Sequence, residues 1–120
     1  MTESKNPKRY DLEERTLKFS QGVIGLTKTA PKSIANVEIM KQVVRSSGSV
    51  GANYIEANES LSKKDFAMRI KICRKEAKES RYWLQLLDVV GEGAQKSQGA
   101  LINEASELMN IFGSILKKVE

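Results

Sequence analysis

The sequence of 120 residues contains no histidine, a single cysteine at Cys73 and only two prolines, Pro7 and Pro31. The absence of histidine excludes every catalytic scheme that uses an imidazole base, and with one cysteine it also excludes a zinc finger or a Cys/His metal cluster. One cysteine forms no internal disulfide, which is typical of a reducing compartment. So little proline argues against a disordered linker and against a turn-rich β-sandwich.

Long apolar runs are also missing. Residues 1–10 are charged and polar and lack the apolar centre of a signal peptide. No apolar run approaches the length of about 20 residues that is needed to span a bilayer. Hydrophobic residues make up 40% and charged residues 29% of the chain, as expected for a soluble globular protein. We therefore expect a cytoplasmic protein with no membrane partner.

Four segments carry apolar residues at alternating steps of three and four, the spacing of one buried stripe on an amphipathic helix. We predict helices over residues 11–30, from about Ser33 or Asn36 to about Asn58, and over about 63–90, a fourth helix whose apolar repeat spans residues 101–119, and no strand. With three short connections, this pattern predicts an all-α fold, an up-down-up-down antiparallel four-helix bundle with left-handed packing. We assign residues 1–10 to a flexible polar arm and residues 11–120 to a single four-helix bundle domain.

Local signals indicate where these helices begin and end. Asp11 is a candidate N-cap for the first helix, and Pro31 stops it. Ser62 is a good N-cap for the third helix, and we expect Gly91 and Gly93 to end it. The stripe predicted for the core of the first helix contains Leu12, Thr16, Phe19, Val23, Leu26 and Ala30.

The middle of the second helix is rich in small residues. Residues 46–52 read SSGSVGA, and helix propensity alone predicts a loop there. The apolar stripe continues in phase on both sides, however, so we predict an uninterrupted helix. The small residues then mark a close approach to a neighbouring helix, which we expect at Ser47 and Gly51.

Polar residues on the second helix offer no catalytic scheme. Arg45, Asn53 and Glu56 lie within a few turns of one another, but the chain has no recognisable nucleophile with its base and no phosphate-binding loop. We interpret the three as a polar packing network between helices. Cys73 falls on the core stripe of the third helix, so we expect a buried thiol that behaves as a small hydrophobe. We expect no catalytic residue, no metal site and no cofactor, and we predict that the protein is not an enzyme.

The net charge of +5 is concentrated in one segment. Residues 62–82 hold eight Lys or Arg and three acids, which accounts for the whole excess of the chain. On a helical wheel these charges are sorted by sign, and one sector collects Lys64, Lys71, Arg74, Lys75, Lys78, Arg81 and Tyr82. A basic stripe of this kind can follow a phosphate backbone, so these are the candidate nucleic-acid-binding residues for RNA or DNA. An ordinary solvated helix face and a protein partner are the alternatives.

A second sector of the third helix, away from its core stripe, is apolar. It contains Ile72, Trp83, Leu86 and Val90. A single bundle would leave part of this sector in water, and tryptophan is enriched at the centres of interfaces. We interpret the four residues as a candidate homo-oligomer interface, and the alternative is a broad core reached by a tilted helix.

Three segments carry a resemblance to a known family. They are residues 44–57 (VRSSGSVGANYIEA), residues 62–66 (SKKDF) and residues 72–80 (ICRKEAKES), the last followed by Trp83 and Leu84. On these segments the chain resembles the bacterial four helix bundle protein family, also called the 23S rRNA-intervening-sequence protein family. The resemblance covers nearly the whole chain, and its central segment is the most specific.

The resemblance implies a four-helix bundle that assembles into a ring-shaped homopentamer. Some members of the family are encoded within intervening sequences of 23S rRNA genes. A related branch, the accessory variability determinant of diversity-generating retroelements, is thought to bind nucleic acid and a reverse transcriptase. The resemblance therefore favours a non-enzymatic RNA-binding or ribonucleoprotein scaffold protein. The alternative is a structural or protein-interaction oligomer that makes no contact with nucleic acid.

Overall fold

The computed structural model describes the backbone of residues 7–119 and the side chains of residues 12–119. Four α-helices follow one another along the chain: α1 (Pro7–Thr29), α2 (Ile34–Asn58), α3 (Lys63–Leu86) and α4 (Glu92–Val119). Within the described range, each helix packs against the helices before and after it in the sequence, and α4 also packs against α1. The diagonal pairs, α1 with α3 and α2 with α4, are not in contact. Since short connections join consecutive packed helices, the predicted four-helix bundle is confirmed. None of these helices is both long enough and apolar enough to cross a membrane.

The first helix begins earlier than its sequence signals predict. It starts at Pro7 rather than after Asp11, and a proline fits the first position of a helix because the amide hydrogen it lacks has no partner there. Residues 7–10, which we assigned to a flexible arm, are therefore helical. Residues 1–6 of that arm lie outside the described residues.

Serine side chains cap the starts of α2 and α3. The Ser33 hydroxyl accepts a hydrogen bond from the Asn36 backbone amide at 3.1 Å. The Ser62 hydroxyl accepts one from the Asp65 amide at 3.0 Å. Each bond satisfies one of the amides that a helix leaves unpaired in its first turn. The predicted cap at Ser62 is confirmed.

The end predicted for the third helix is wrong. The helix stops at Leu86, and the residues that follow form an extended connection in which Leu87 and Val89 are buried. Gly91, with φ at +99°, turns the chain into α4, and Gly93 lies inside that helix. The apolar pattern continues past Leu86 because alternate residues of the extended segment also reach the core.

Buried side chains of all four helices form one core. The largest fully buried side chains include Phe19, Ile70, Leu84 and Phe112, and the Phe112 ring packs against the Tyr54 ring at a centroid distance of 6.0 Å. Every residue of the stripe predicted for α1 is buried, which confirms that stripe.

The buried arc of α2 is wider than one stripe because this helix packs on both α1 and α3. The sequence predicts that the core stripe of α2 contains Val37, Met40, Val44, Ser47, Gly51 and Tyr54. Val44 is nevertheless 39% exposed, whereas Val43, outside this stripe, is fully buried. The helix nevertheless runs without interruption through its small residues, as predicted. A β-carbon on Gly51 would lie only 3.1 Å from the Thr16 Oγ1 atom of α1, so the predicted close approach at Gly51 is confirmed.

Candidate nucleic-acid interface

The basic residues predicted on one sector of the third helix do share one side of α3. We call this surface the basic face of α3, and it consists of Lys64, Lys71, Arg74, Lys75, Lys78, Arg81 and Tyr82. All are exposed except Arg81, which is half-buried. Since α3 is continuous and rises about 1.5 Å per residue, the face extends along roughly 25 Å. That length matches several consecutive phosphates of an extended nucleic-acid strand.

Most cations of this face carry their charge without a protein partner. Within the described part of the chain, the side chains of Lys64, Arg74, Lys75 and Lys78 form no ion pair and no hydrogen bond. Arg81 is held against α4, where its Nη1 atom donates a hydrogen bond to the Ser106 hydroxyl at 3.1 Å. The positive charge therefore remains available to an external anion.

Two of the three acids of α3 lie on the other flank, towards α2. Glu76 and Glu79 each place a carboxylate oxygen 3.4 Å from the Arg45 guanidinium of α2. Glu76 is buried, and its Oε1 atom has this ion-pair contact but no hydrogen bond. Because Arg45 holds both carboxylates on the side of α2, they are directed away from the basic face.

The acids in the middle of α4 are also turned away from the basic face. Arg15 of α1 binds Glu104 through two nitrogens, at 2.7 and 3.0 Å, and binds Glu107 at 3.0 Å. A two-pronged guanidinium–carboxylate contact of this kind fixes the direction of both side chains. The acidic side of α4 therefore faces α1.

The side of α4 next to the basic face carries small polar residues and one further cation. Asn110, Gly113, Ser114 and Lys117 line a cleft of about 670 Å³ that Lys71 and Arg74 line from α3. This contribution from α4 was not predicted from the sequence. Its signal is the recurrence of Ser106, Asn110, Gly113 and Lys117 at steps of four, three and four, without a single acid.

The candidate oligomer residues do not form one helical sector. Trp83 is half-buried and packs against the core, and its ring and the Tyr82 ring form a T-shaped pair at a centroid distance of 5.1 Å. Leu86 is 48% exposed, and Ile72 is half-buried. Val90 lies in the connection after α3 and lines a groove between α1 and α4. Since α3 ends at Leu86, Val90 does not belong to the helical sector to which we assigned it, whereas Ile72, Trp83 and Leu86 do lie on α3. The interface itself stays a prediction.

The predicted polar network divides into separate contacts. Arg45 binds the acids of α3, as described above. Asn53 accepts a hydrogen bond from the Arg69 guanidinium at 2.8 Å and donates to Ser49 on its own helix. The Glu56 side chain is exposed and has no polar contact with the described residues. Arg45 and Asn53 therefore join α2 to α3 as predicted, whereas Glu56 does not.

Cys73 lies where its position on the core stripe predicts. It is fully buried, and its Sγ atom lies 3.5 Å from the Val50 carbonyl oxygen. Burial raises the pKa of the Cys73 thiol from 9.0 to about 12 because a thiolate would lose its solvation. The thiol is therefore protonated and unreactive at neutral pH.

A family model described as 23S rRNA-intervening sequence protein matches residues 8–114 of the chain. The protein belongs to the 23S rRNA-intervening sequence protein family. This confirms the resemblance, and the matched range includes α2, α3 and all but the end of α4. The matched range also includes the residues that line the cleft between α3 and α4 (the α3/α4 cleft), except Leu116 and Lys117 near the end of α4.

A solved structure with the same fold supports membership of this family. A protein of unknown function from the S23 ribosomal protein family of Bacteroides thetaiotaomicron is similar to this chain, with 30% identity and a TM-score of 0.76. The similarity covers 88% of this chain and 97% of the other. Among curated proteins, none matches the sequence.

Proposed function

We propose that this member of the 23S rRNA-intervening sequence protein family is a non-enzymatic, cytoplasmic helical-bundle protein that binds RNA through the basic face of α3. The observation that supports this most strongly is the sorting of charge by helix flank. Arg45 and Arg15 form ion pairs with acids on the flanks of α3 and α4 that point away from this face. Four cations of the face have no partner among the described residues.

This arrangement fits binding to phosphates rather than reading of bases. Lysine and arginine side chains are long and flexible, and on one helix they supply charge along a line. Tyr82 is 56% exposed and is the one aromatic residue of the basic face. It can stack on a single base, which adds affinity with little preference for sequence. Single-stranded RNA and DNA should therefore both bind.

An oligomer would strengthen this binding. The family resemblance implies a homopentamer, and each protomer would repeat the basic face so that weak contacts act together. Leu86 is half-exposed at the end of α3, close in sequence to the Trp83–Tyr82 ring pair. We propose that Leu86 and the exposed edge of Trp83 belong to the interface between protomers, with Ile72 further along α3.

The exposed apolar residues support a second candidate function. Ile34 is 89% exposed, Val90 is 68% exposed and Leu86 is 48% exposed. Ile34 and Val90 lie at the same end of the bundle, since Asn36 and Asp88 are hydrogen-bonded there. A scaffold that docks another protein at this end would need no nucleic acid. Equal RNA binding by the basic-face variant and the wild type in the experiment below would favour this alternative.

Replacement of three cations of the basic face tests the proposal. In the variant Arg74→Glu, Lys78→Glu, Arg81→Glu, we expect binding of a labelled single-stranded RNA to disappear, measured by fluorescence anisotropy at low salt. The matched control is Lys28→Glu, Lys41→Glu, Lys96→Glu, which changes the net charge equally at exposed positions of the other helices. We expect the control to keep most of the affinity, and circular dichroism checks that both variants are folded.

Two results would overturn the proposal. If the first variant binds RNA as well as the wild type does, the basic face is an ordinary solvated surface and the scaffold function takes its place. If both variants lose binding equally, the attraction depends on net charge and not on this face.

A further inference from the structure

The cleft between α3 and α4 has the composition of a phosphate site. Two cations of α3, Lys71 and Arg74, and one cation of α4, Lys117, line it together with Asn110 and Ser114. In the described part of the chain, no carboxylate is among its lining residues. It therefore joins positive charge from two helices with neutral hydrogen-bond donors, a combination that favours a compact anion over a neutral ligand.

Gly113 leaves room for an anion beside Arg74. A β-carbon built on Gly113 would have the Arg74 Nη1 atom as its one neighbour within 4 Å, at 3.8 Å. The guanidinium thus reaches across the seam to the surface of α4, and it does so without an ion pair among the described residues. Because Gly113 has no side chain, the surface of α4 beside the Arg74 guanidinium is open. The N–H groups of a guanidinium match the geometry of phosphate oxygens.

The surroundings keep this positive charge in place. Arg81, two turns along the same seam, is anchored on Ser106, and the nearest acids in the sequence of α4, Glu104 and Glu107, are held by Arg15 on the other flank. Apolar Met109 and Leu116 form part of the lining.

We propose that the α3/α4 cleft binds one phosphodiester group of a nucleic-acid backbone and fixes the register of the strand on the basic face. This inference rests on the proposed function and adds to it a defined site. The remaining cations of the face then contact the neighbouring phosphates along α3. Binding at the cleft differs from attraction to the rest of the face because it depends on residues of α4 that lie outside the basic face.

A single substitution that places a carboxylate in the cleft tests this site. In Gly113→Asp the new carboxylate would lie beside Arg74 and compete with the phosphate. The matched control is Gly99→Asp on the same helix, where a β-carbon would meet no atom within 4 Å. Both variants lose one glycine and gain one negative charge. By anisotropy with a labelled single-stranded RNA, we expect a loss of about tenfold in affinity for Gly113→Asp and a loss of less than about twofold for the control.

Asn110→Asp keeps the test decisive if Gly113→Asp does not fold. Asparagine and aspartate have nearly the same shape, and Asn103→Asp is its control at an exposed position of α4. We expect the same difference between the cleft variant and its control. In the cleft variants, the slope of log affinity against log salt should also become shallower, by the amount expected for the loss of about one phosphate contact.

The outcomes separate this site from the proposed function. If the wild type binds RNA and the cleft variants bind as their controls do, the cleft is not a phosphate site, while the basic face still binds nucleic acid. If the wild type does not bind RNA at all, the proposed function fails.

Titration with inorganic phosphate alone distinguishes a backbone phosphate from a free one. We expect no saturation at millimolar phosphate, because one free anion gains nothing from the rest of the basic face. Saturable binding below that range, lost in Gly113→Asp, would contradict the assignment to a nucleic-acid backbone.

Discussion

The side chain of Asn36 forms two hydrogen bonds with the backbone of Asp88, across the end of the bundle. Its Nδ2 atom donates to the Asp88 carbonyl at 2.8 Å, and its Oδ1 atom accepts from the Asp88 amide at 3.0 Å. The same Nδ2 atom also donates to the Pro31 carbonyl at 2.9 Å. Asn36 is 1% exposed, so one buried amide joins the α1–α2 connection to the α3–α4 connection.

Replacement of this amide should destabilise the fold strongly. We expect Asn36→Ala to lower the free energy of unfolding by about 2–3 kcal/mol, because three backbone groups lose a buried partner. Urea unfolding followed by circular dichroism measures this change. Asn103→Ala is the control, since Asn103 is exposed on α4, and we expect a change within about 0.5 kcal/mol. Equal stability of the two variants would show that water replaces Asn36 without cost.

The contact between Gly51 and Thr16 should not tolerate a larger side chain. A β-carbon on Gly51 would lie 3.1 Å from Thr16 Oγ1 and 3.3 Å from Thr16 Cβ, so we expect Gly51→Leu to cost on the order of 1–3 kcal/mol of stability. In the control Gly48→Ala the nearest atom, Ser20 Oγ, would lie at 3.8 Å. That substitution should stabilise the protein by about 0.5–1 kcal/mol through better helix propensity. A melting temperature unchanged by Gly51→Leu would contradict the close packing of α1 on α2.

The buried thiol of Cys73 should be protected in the native protein. We expect almost no reaction with a disulfide reagent at pH 8 and rapid reaction once urea unfolds the chain, because the pKa of this thiol is raised from 9.0 to about 12 by burial. The folded state holds the thiol proton more tightly than the unfolded state does. The contribution of this thiol to the free energy of unfolding is therefore fully present below pH 9 and is lost as the pH rises towards 12. Fast labelling of the native protein would contradict the burial of Cys73.

The proposed interface at Leu86 predicts an oligomer that a single charge disrupts. We expect light scattering to detect a homo-oligomer, a pentamer if the family resemblance holds, and expect Leu86→Lys to dissociate it with little loss of helix. Trp83 is a poorer position for this test because it also packs against the core. The control is Leu61→Lys, at a residue that is 98% exposed in the α2–α3 connection. A wild-type monomer at micromolar concentration would contradict the proposal.

The core and the helix order could be predicted from the sequence because each helix buries a regular stripe. Leu12, Phe19 and Val23 repeat at helical spacing and are all buried. Gly51 could be predicted as a contact because a small residue within a stripe that continues on both sides leaves room for a neighbouring helix. The spacing of apolar residues within each helix is enough to predict which side chains are buried. Only the pairing of one helix's stripe with another's depends on the folded bundle.

The end of α3 and the polar contacts could not be predicted in the same way. Leu87 and Val89 are apolar and buried in an extended segment, so their pattern resembles a continuing helix. The partner of Asn53 is Arg69 on the next helix, a pairing that depends on how α2 and α3 are aligned. For the same reason, Asn110 and Lys117 become part of the candidate site only when α4 lies beside α3.

The dependence of RNA affinity on salt concentration tests the central claim, nucleic-acid binding through phosphates, most directly. A single-stranded RNA bound by four or five phosphate contacts should give a slope of log affinity against log salt on the order of −3, at about −0.7 for each contact. We expect this slope for the wild-type protein and no measurable binding, even at low salt, for the variant Arg74→Glu, Lys78→Glu, Arg81→Glu. Absence of RNA binding by the wild type even at low salt would contradict the account.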